Sequence, residues 1–225
     1  MKKNKIFVAC DSTNISKIKK IINNTKISRI KVGYKFGLEF LNSSKGRKFI
    51  HKLKNKIIFA DLKIHDIPNT CVSAIKAIKD LKVNYLTIHI SSGLKALRAS
   101  KKAAGKTKLI GVSILTSLDD KSLKEIGFDK NVKKLVLHQA KLASKANLDA
   151  IVCSAQEVKL VKKVFKKEII TPGIRFNKED NNDQKRILTP KEAYKNGSDW
   201  LVIGRPITKG NIKKNIQTLI DHLYR

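Results

Sequence analysis

The chain has 225 residues, 41% of them apolar and 30% charged, with a formal net charge of +31. The apolar share is too high for a disordered chain, and no apolar run approaches the roughly 20 residues needed to cross a bilayer. The positive charge is spread over every helical stretch, as in Lys17-Ile-Lys-Lys20, Lys76-Ala-Ile-Lys79 and Lys159-Leu-Val-Lys-Lys163, and aromatic residues are only 6%; this argues for solvated helix faces over a specific nucleic-acid footprint.

The chain alternates short β-rich runs with amphipathic helical runs, eight pairs in all. The first strand is Ile6–Cys10, with a helix from about Ile15 to Asn23 that Asn14 or Ser12 can cap. The basic start and short apolar run read as a first strand, not a signal peptide. The second strand is Arg29–Gly33, with a helix reaching about Leu53. The third is Lys56–Asp61, with a helix from about Asn69 to Leu81. The fourth is Tyr85–Ile90, with a helix from about Gly93 to Ala104. The fifth is Leu109–Ile114, followed by a short helical piece around Ser122 and a long helix from Val132 to Ala146. The sixth is Ala150–Cys153, with a helix from Gln156 to Phe165. The seventh is Glu168–Thr171, followed by a long polar loop and a helix to Asn196, with Thr189 as cap, Pro190 in the first turn and Gly197 at the end. The eighth is Trp200–Ile203, with a terminal helix from Ile212 to Leu223.

Strands alternating with helices of this length predict a parallel sheet. Eight units predict a closed (β/α)8 TIM barrel, one α/β domain spanning residues 1–225; such barrels run to roughly 250 residues. A Gly-x-Gly-x-x-Gly signature after the first strand is absent, which weakens the open doubly wound alternative. The three cysteines, Cys10, Cys71 and Cys153, have no metal-like spacing and read as free thiols of a cytoplasmic protein.

In barrels of this kind the reactive groups sit at the C-terminal ends of the strands. Nearly every predicted strand end carries a polar candidate: Asp11, Lys31, Asp61 with Lys63 and Asp66, His89, Ser113 with Thr116 and Ser117, Ser154, Arg175, and Gly204-Arg205. The richest stretch is Phe59-Ala-Asp-Leu-Lys-Ile-His-Asp-Ile-Pro-Asn-Thr70. Side chains two apart on a strand face the same side, so Asp61 and Lys63 point together. Burying opposite charges is costly and rarely improves on apolar packing, so the cluster reads as chemistry. Lys31, inside an apolar strand, can reach solvent only at the barrel mouth. His65 differs in parity and reads as a structural hydrogen-bonding residue, and His89 as a core histidine. After the last two strands, Thr171-Pro-Gly-Ile-Arg175 and Ile203-Gly-Arg-Pro206 have the character of a phosphate site: Gly204 allows close backbone approach and the arginines can hold an oxyanion bidentately. The polar loop from Arg175 to Arg186 reads as a lid.

Together these residues resemble the orotidine 5′-phosphate decarboxylase family over essentially the whole chain. The matching elements are Asp11, Lys31-Val-Gly33, Asp61-x-Lys63-x-x-Asp66-Ile-x-x-Thr70, Leu115-Thr-Ser117, Val152-Cys-Ser-Ala-Gln-Glu157, Thr171-Pro-Gly-Ile-Arg175, Asp183-Gln-x-Arg186 and Ile203-Gly-Arg-Pro206. The resemblance implies a homodimer of barrels with shared active sites, a small nucleotide substrate, and no metal or organic cofactor. It implies that Lys63 delivers a proton to C6 of the pyrimidine beside Asp61. Asp66, Ile67 and Thr70 would reach in from the other subunit. Asp11 and Lys31 would contact the ribose hydroxyls, Ser154 the pyrimidine, and Thr116 the bound nucleotide. Arg175, Gln184, Gly204 and Arg205 would hold the phosphate, with Pro172 of the same motif at the binding surface. The nearest alternatives are sister barrel enzymes acting on sugar phosphates with magnesium. A nucleic-acid-binding barrel is the alternative from another class.

Overall fold

Strands of a parallel barrel are buried on both faces, inward against one another's side chains and outward against helices, so they are apolar almost throughout. The computed structural model, which describes residues 3–176 and 187–224, has this form. Strands β1 (Lys5–Ala9), β2 (Lys31–Phe36), β3 (Ile57–Ile64), β4 (Tyr85–His89), β5 (Lys108–Val112), β6 (Ala150–Val152), β7 (Glu168–Thr171) and β8 (Trp200–Ile203) close in sequence order into a parallel barrel. The helices outside are α1 (Ile15–Asn24), α2 (Leu38–Leu41), α3 (Gly46–Lys52), α4 (Pro68–Ala77), α5 (Gly93–Ala104), α6 (Asp120–Glu125), α7 (Val132–Lys145), α8 (Val158–Val161), α9 (Pro190–Asn196), α10 (Arg205–Thr208) and α11 (Ile212–Tyr224).

Two cores result. The larger lies between strands and helices. The smaller fills the barrel with Phe7, Phe59, Tyr85, Ile110, Ala150, Ile170 and Trp200. Phe7 is its centre, stacked on Trp200 at 4.1 Å between centroids and edge-on to Phe59 at 5.0 Å and Tyr85 at 5.2 Å. Each buried aromatic of this kind contributes about 1.5–3 kcal/mol. Gly33 exists to admit Phe7: a Cβ at that position would sit 2.7 Å from the ring. This aromatic layer seals the barrel and forms the base on which the upper layer of polar residues stands.

The predicted local signals hold at several ends. Asn14 caps α1 by accepting from the Lys17 N–H at 3.0 Å. Thr189 and Glu192 form a reciprocal capping box on α9, and Gly197 ends that helix at φ 103°. Such caps contribute about 0.5–2 kcal/mol each. Other boundaries moved. β2 starts two residues later than expected and runs on through Phe36, and the helix after it divides into α2 and α3. β3 continues past Asp61 to Ile64. α8 is a single turn where a longer helix was expected, and α10 was not expected. Lysines dispersed along the sequence also converge in space: Lys19, Lys26, Lys45, Lys48, Lys52, Lys54 and Lys56 line one groove between α1 and α3.

Candidate active site

The C-terminal ends of the strands surround a cavity of about 570 Å³. Its floor is Phe59 of the aromatic layer with Val112, Val152 and Val202. Charged side chains from β2, β3 and the segment just after β1 form one wall. Thr116 and Ser117 lie on the loop after β5, and Pro172, Gly173, Arg175, Gly204 and Arg205 close the side formed by β7 and β8.

The charged wall is an alternating chain. The Lys35 ammonium lies 2.9 Å from Asp11 Oδ1 and 3.6 Å from Asp61 Oδ2, and Lys63 Nζ lies 2.8 Å from the same Asp61 oxygen. Asp61 also accepts from the Thr87 hydroxyl at 3.1 Å. Burial alone would raise the Asp61 pKa, but Lys35 and Lys63 outweigh it and hold the carboxyl below its ordinary value. Burial would lower the Lys35 pKa, and the attraction of Asp61 and Asp11 reverses that, so it is raised. Two carboxylates and two ammoniums thus share a half-enclosed site, each ion made affordable by its neighbours.

The backbone under this wall is irregular. Lys63 has φ 48°, a left-handed conformation that is uncommon for a side chain of its kind. The β3–β4 register passes from Ala60↔Leu86 to Ile64↔Ile88, so four residues of β3 advance against two of β4. The parity argument therefore reached the right outcome for Asp61 and Lys63 through a bulged strand, not a regular one.

Residues 4–216 match the Orotidine 5'-phosphate decarboxylase / HUMPS family. The chain is 44% identical over 224 residues to an orotidine 5'-phosphate decarboxylase of Wolbachia sp. subsp. Brugia malayi (strain TRS), covering 96% of this chain and 97% of the relative. It is 40% identical over 217 residues to that of Coxiella burnetii (strain RSA 331 / Henzerling II), covering 91% and 90%. The chain belongs to this family. Among solved structures, the orotidine 5'-phosphate decarboxylase of Lactobacillus acidophilus superposes with a TM-score of 0.82 at 31% identity, covering 99% of this chain and 100% of the other. The Methanocaldococcus jannaschii enzyme, crystallised with the inhibitor BMP, has a TM-score of 0.80 with full coverage of both chains, and at 20% identity it speaks to the fold alone.

Of the positions that the family resemblance singled out, Asp11, Asp61, Lys63, Thr116, Pro172, Arg175, Gly204 and Arg205 line this one cavity. Lys31 does not. It is the first residue of β2, pairs in register with Lys5, and lines a separate cavity with Ile57, Lys108 and Trp200 at the opposite end of the barrel. The lysine at the mouth is Lys35. The two have the same parity and lie four residues apart, about 13 Å along a strand. The segment Lys31-Val-Gly-Tyr-Lys-Phe-Gly37 repeats Lys-x-Gly, so the pattern fits twice, and only the end of the strand decides between them. Gly33 makes room for Phe7. Gly37 lies beside the site, where a Cβ would stand 3.3 Å from Asp11 Oδ1.

Ser154 is buried past the end of β6, its hydroxyl accepting from the Gln156 N–H at 3.3 Å, and the cavity surface on that strand is Val152. Asp66 lies outside the cavity, where its carboxylate accepts from the Ile67 N–H at 2.7 Å. Ile67 and Thr70, at the start of α4, point to solvent; Ile67 is 67% exposed. Gln184 and the central part of the expected lid lie outside the described residues. His89 is half-buried at the end of β4 with its ring 5.1 Å from that of His65, which contacts the Ser91 hydroxyl. Burial and the neighbouring His65 push the His89 pKa down. The cysteines are buried and free, and burial with the nearby Asp11 charge pushes Cys10 up to about 12, which leaves an inert thiol. Lys35 and Thr87 are the two members of the site that the sequence pattern does not single out.

Proposed function

We propose that this protein converts orotidine 5′-monophosphate to uridine 5′-monophosphate and CO₂, with Lys63 as the proton donor. The observation that carries the reading is the Asp11–Lys35–Asp61–Lys63 chain standing in the same cavity as Arg175, Gly204 and Arg205. The arginine side suits a phosphate, and the ammonium of Lys63 stands on the charged wall of the same cavity. The bond from C6 to the carboxylate breaks with its electron pair left on C6, and CO₂ departs. That pair lies in an orbital that the pyrimidine ring delocalises poorly. An ammonium stabilises it as it forms and then donates a proton to it. Lys35 takes the place first assigned to Lys31, facing the ribose hydroxyls together with Asp11.

Repulsion between Asp61 and the substrate carboxylate is a smaller contribution. Like charges about 4 Å apart repel by roughly 4 kcal/mol at an effective dielectric near 20, which is about three powers of ten in rate. The larger share falls to stabilisation of the developing carbanion and to phosphate binding. Asp61 Oδ2 is already paired with two ammoniums, accepting a hydrogen bond from Lys63 and lying 3.6 Å from Lys35. This favours the nucleotide reading over a magnesium-dependent sugar-phosphate one. Loss of the ultraviolet absorbance of orotidine 5′-monophosphate should proceed at an undiminished rate in EDTA; a requirement for magnesium would favour the sister activity.

The reading includes a homodimer. Ile67 and Thr70 are presented outward on α4 beside Asp66, as expected of residues that complete a neighbouring site. An Asp66→Asn dimer and a Lys63→Ala dimer should each be nearly inactive. Heterodimers of the two should recover activity, because one of their two sites regains a full set. Verified heterodimers without activity would return Asp66 to its own subunit. The buried free thiols suit a reducing cytoplasm, and no helix among the described residues is long and apolar enough to cross a membrane.

A further inference from the structure

We propose that Thr87 is the positioning residue for the proton donor: its hydroxyl holds the β3 bulge in the one shape that turns Lys63 onto Asp61. Thr87 is fully buried in the middle of β4 and faces into the barrel between Tyr85 and His89. Its Oγ1 lies 2.8 Å from the Lys63 backbone nitrogen and 3.1 Å from Asp61 Oδ1. The chemistry fixes both directions. A backbone N–H can only donate, so the threonine oxygen accepts from Lys63. An ionised carboxylate can only accept, so the single hydroxyl proton points to Asp61.

The register explains why a side chain is needed. Leu86 pairs with Ala60 and Ile88 with Ile64, so Thr87 alone stands opposite Asp61, Leu62 and Lys63. A regular ladder would satisfy the Lys63 N–H with a backbone carbonyl. At the bulge the hydroxyl supplies that acceptor, and Lys63 keeps its left-handed φ of 48°. Such a conformation persists only where its surroundings over-determine it. One hydroxyl thus binds the backbone of the donor and the side chain of the carboxylate that the donor's ammonium meets at 2.8 Å.

The inference rests on the decarboxylase reading. Thr87→Val preserves shape and removes both hydrogen bonds; Thr87→Ser keeps them. A displacement of about 1 Å in a catalytic group costs about 100-fold. The expected result is a fall in kcat of about that size in Thr87→Val with KM little changed, and recovery in Thr87→Ser to within about threefold. The acid limb of the rate profile should also move to higher pH in Thr87→Val, since Asp61 loses a donor that favours its charged form. A merely structural threonine would lower the melting temperature and leave kcat and the acid limb in place; that outcome overturns the proposal. If Thr87→Val fails to fold, Thr87→Cys, close in size and a weak hydrogen-bonding partner, is read against the same expectations. Should the wild type not decarboxylate the nucleotide at all, the function is wrong on its own terms. Amide exchange at Lys63 still judges Thr87: at least tenfold faster exchange in Thr87→Val supports the clamp, and unchanged exchange overturns it.

Discussion

The two ends of the barrel carry clusters of nearly the same composition. At the C-terminal end Asp61 meets Lys35, Lys63 and the Thr87 hydroxyl. At the N-terminal end Glu168 meets Lys5 at 3.4 Å, Lys108 at 2.9 Å and the Tyr85 hydroxyl at 2.9 Å. Around its central acid each has two ammoniums and one hydroxyl, and the upper cluster extends through Lys35 to a second carboxylate, Asp11. In each, burial disfavours the carboxylate and the lysines outweigh it, so both acids are held below their ordinary values. What differs is the setting. The lower lysines lie over aromatic rings, Lys5 above Trp200 and Lys108 above Tyr85, each at 5.2 Å, and Tyr85 pairs with Lys108 in regular register. The upper cluster stands on a bulge, holds a left-handed lysine and faces a cavity that continues to two arginines. A charge cluster is therefore not a signature of catalysis by itself. Irregular backbone and an adjoining pair of arginines set the end proposed for catalysis apart from the other.

The most forceful way to test that distinction is to remove one ammonium from each end. Lys63→Ala should fold and lose turnover by about 10⁴-fold, combining lost proton donation with lost charge stabilisation. Lys108→Ala should turn over at the wild-type rate. Comparable losses in the two variants, measured as kcat on folded protein, would dissolve the contrast. The second test concerns β2, which runs through both ends. Lys35→Ala should lower kcat/KM by about 100- to 1,000-fold, since it strips a charge-assisted partner from Asp61 and from Asp11. Lys31→Ala should stay within about twofold.

That pair of lysines also marks how far the sequence could be read. Eight strand–helix units were legible because each strand is an apolar, β-branched run and several helices carry their own caps, Asn14 and Thr189 among them. That Asp61, Lys63, Arg175, Gly204 and Arg205 would share the barrel mouth was legible because each ends or follows a predicted strand in a chain whose architecture fixes where strand ends point. Lys35 was not, because Lys31-Val-Gly33 and Lys35-Phe-Gly37 have the same pattern and parity, and the sequence carries no mark that β2 ends at Phe36. Thr87 was not, because its role depends on the register between β3 and β4, which no local pattern encodes. In the proposed dimer, the positions of Asp66, Ile67 and Thr70 relative to a site depend on a second chain.

The third test acts on stability at the lower end. Glu168→Gln removes the charge that holds Lys5, Lys108 and Tyr85 together, while keeping shape and most hydrogen-bonding capacity. A hydrogen bond to a charged group contributes about 1.5–3 kcal/mol, and each 1 kcal/mol is about 2–4 °C in a chain of this size. The variant should therefore melt several degrees lower at neutral pH, with kcat within about twofold of wild type. A large fall in kcat with no change in melting would reverse the roles assigned to the two ends.

The finest test separates the charge of Glu168 from its shape by pH. Its pKa in the folded protein lies below the ordinary value, so the unfolded chain binds more protons wherever the two states differ. Stability from this group is then fully present above the unfolded value of about 4.3 and is lost as pH falls through the folded value. Asp61 has the same sign, and its stabilisation is present above about 3.9 and lost on further acidification. Lys35 has the opposite sign: its raised pKa contributes stability below about 10.4 that is lost as pH rises through its folded value. His89, held below its ordinary value, and Cys10, pushed up to about 12, narrow the plateau, so wild-type melting should be flat only between about pH 7 and 8 and fall on both sides. Glu168→Gln retains Asp61 and Lys35, so only part of the acid limb should flatten. The melting gap between variant and wild type should be full near neutral pH and should close as the wild-type carboxyl is protonated, because a neutral acid holds the lysines no better than an amide does. A gap that stays constant down to about pH 3 would mean that Glu168 contributes through packing, and the lower cluster would then owe its stability to the aromatic layer alone.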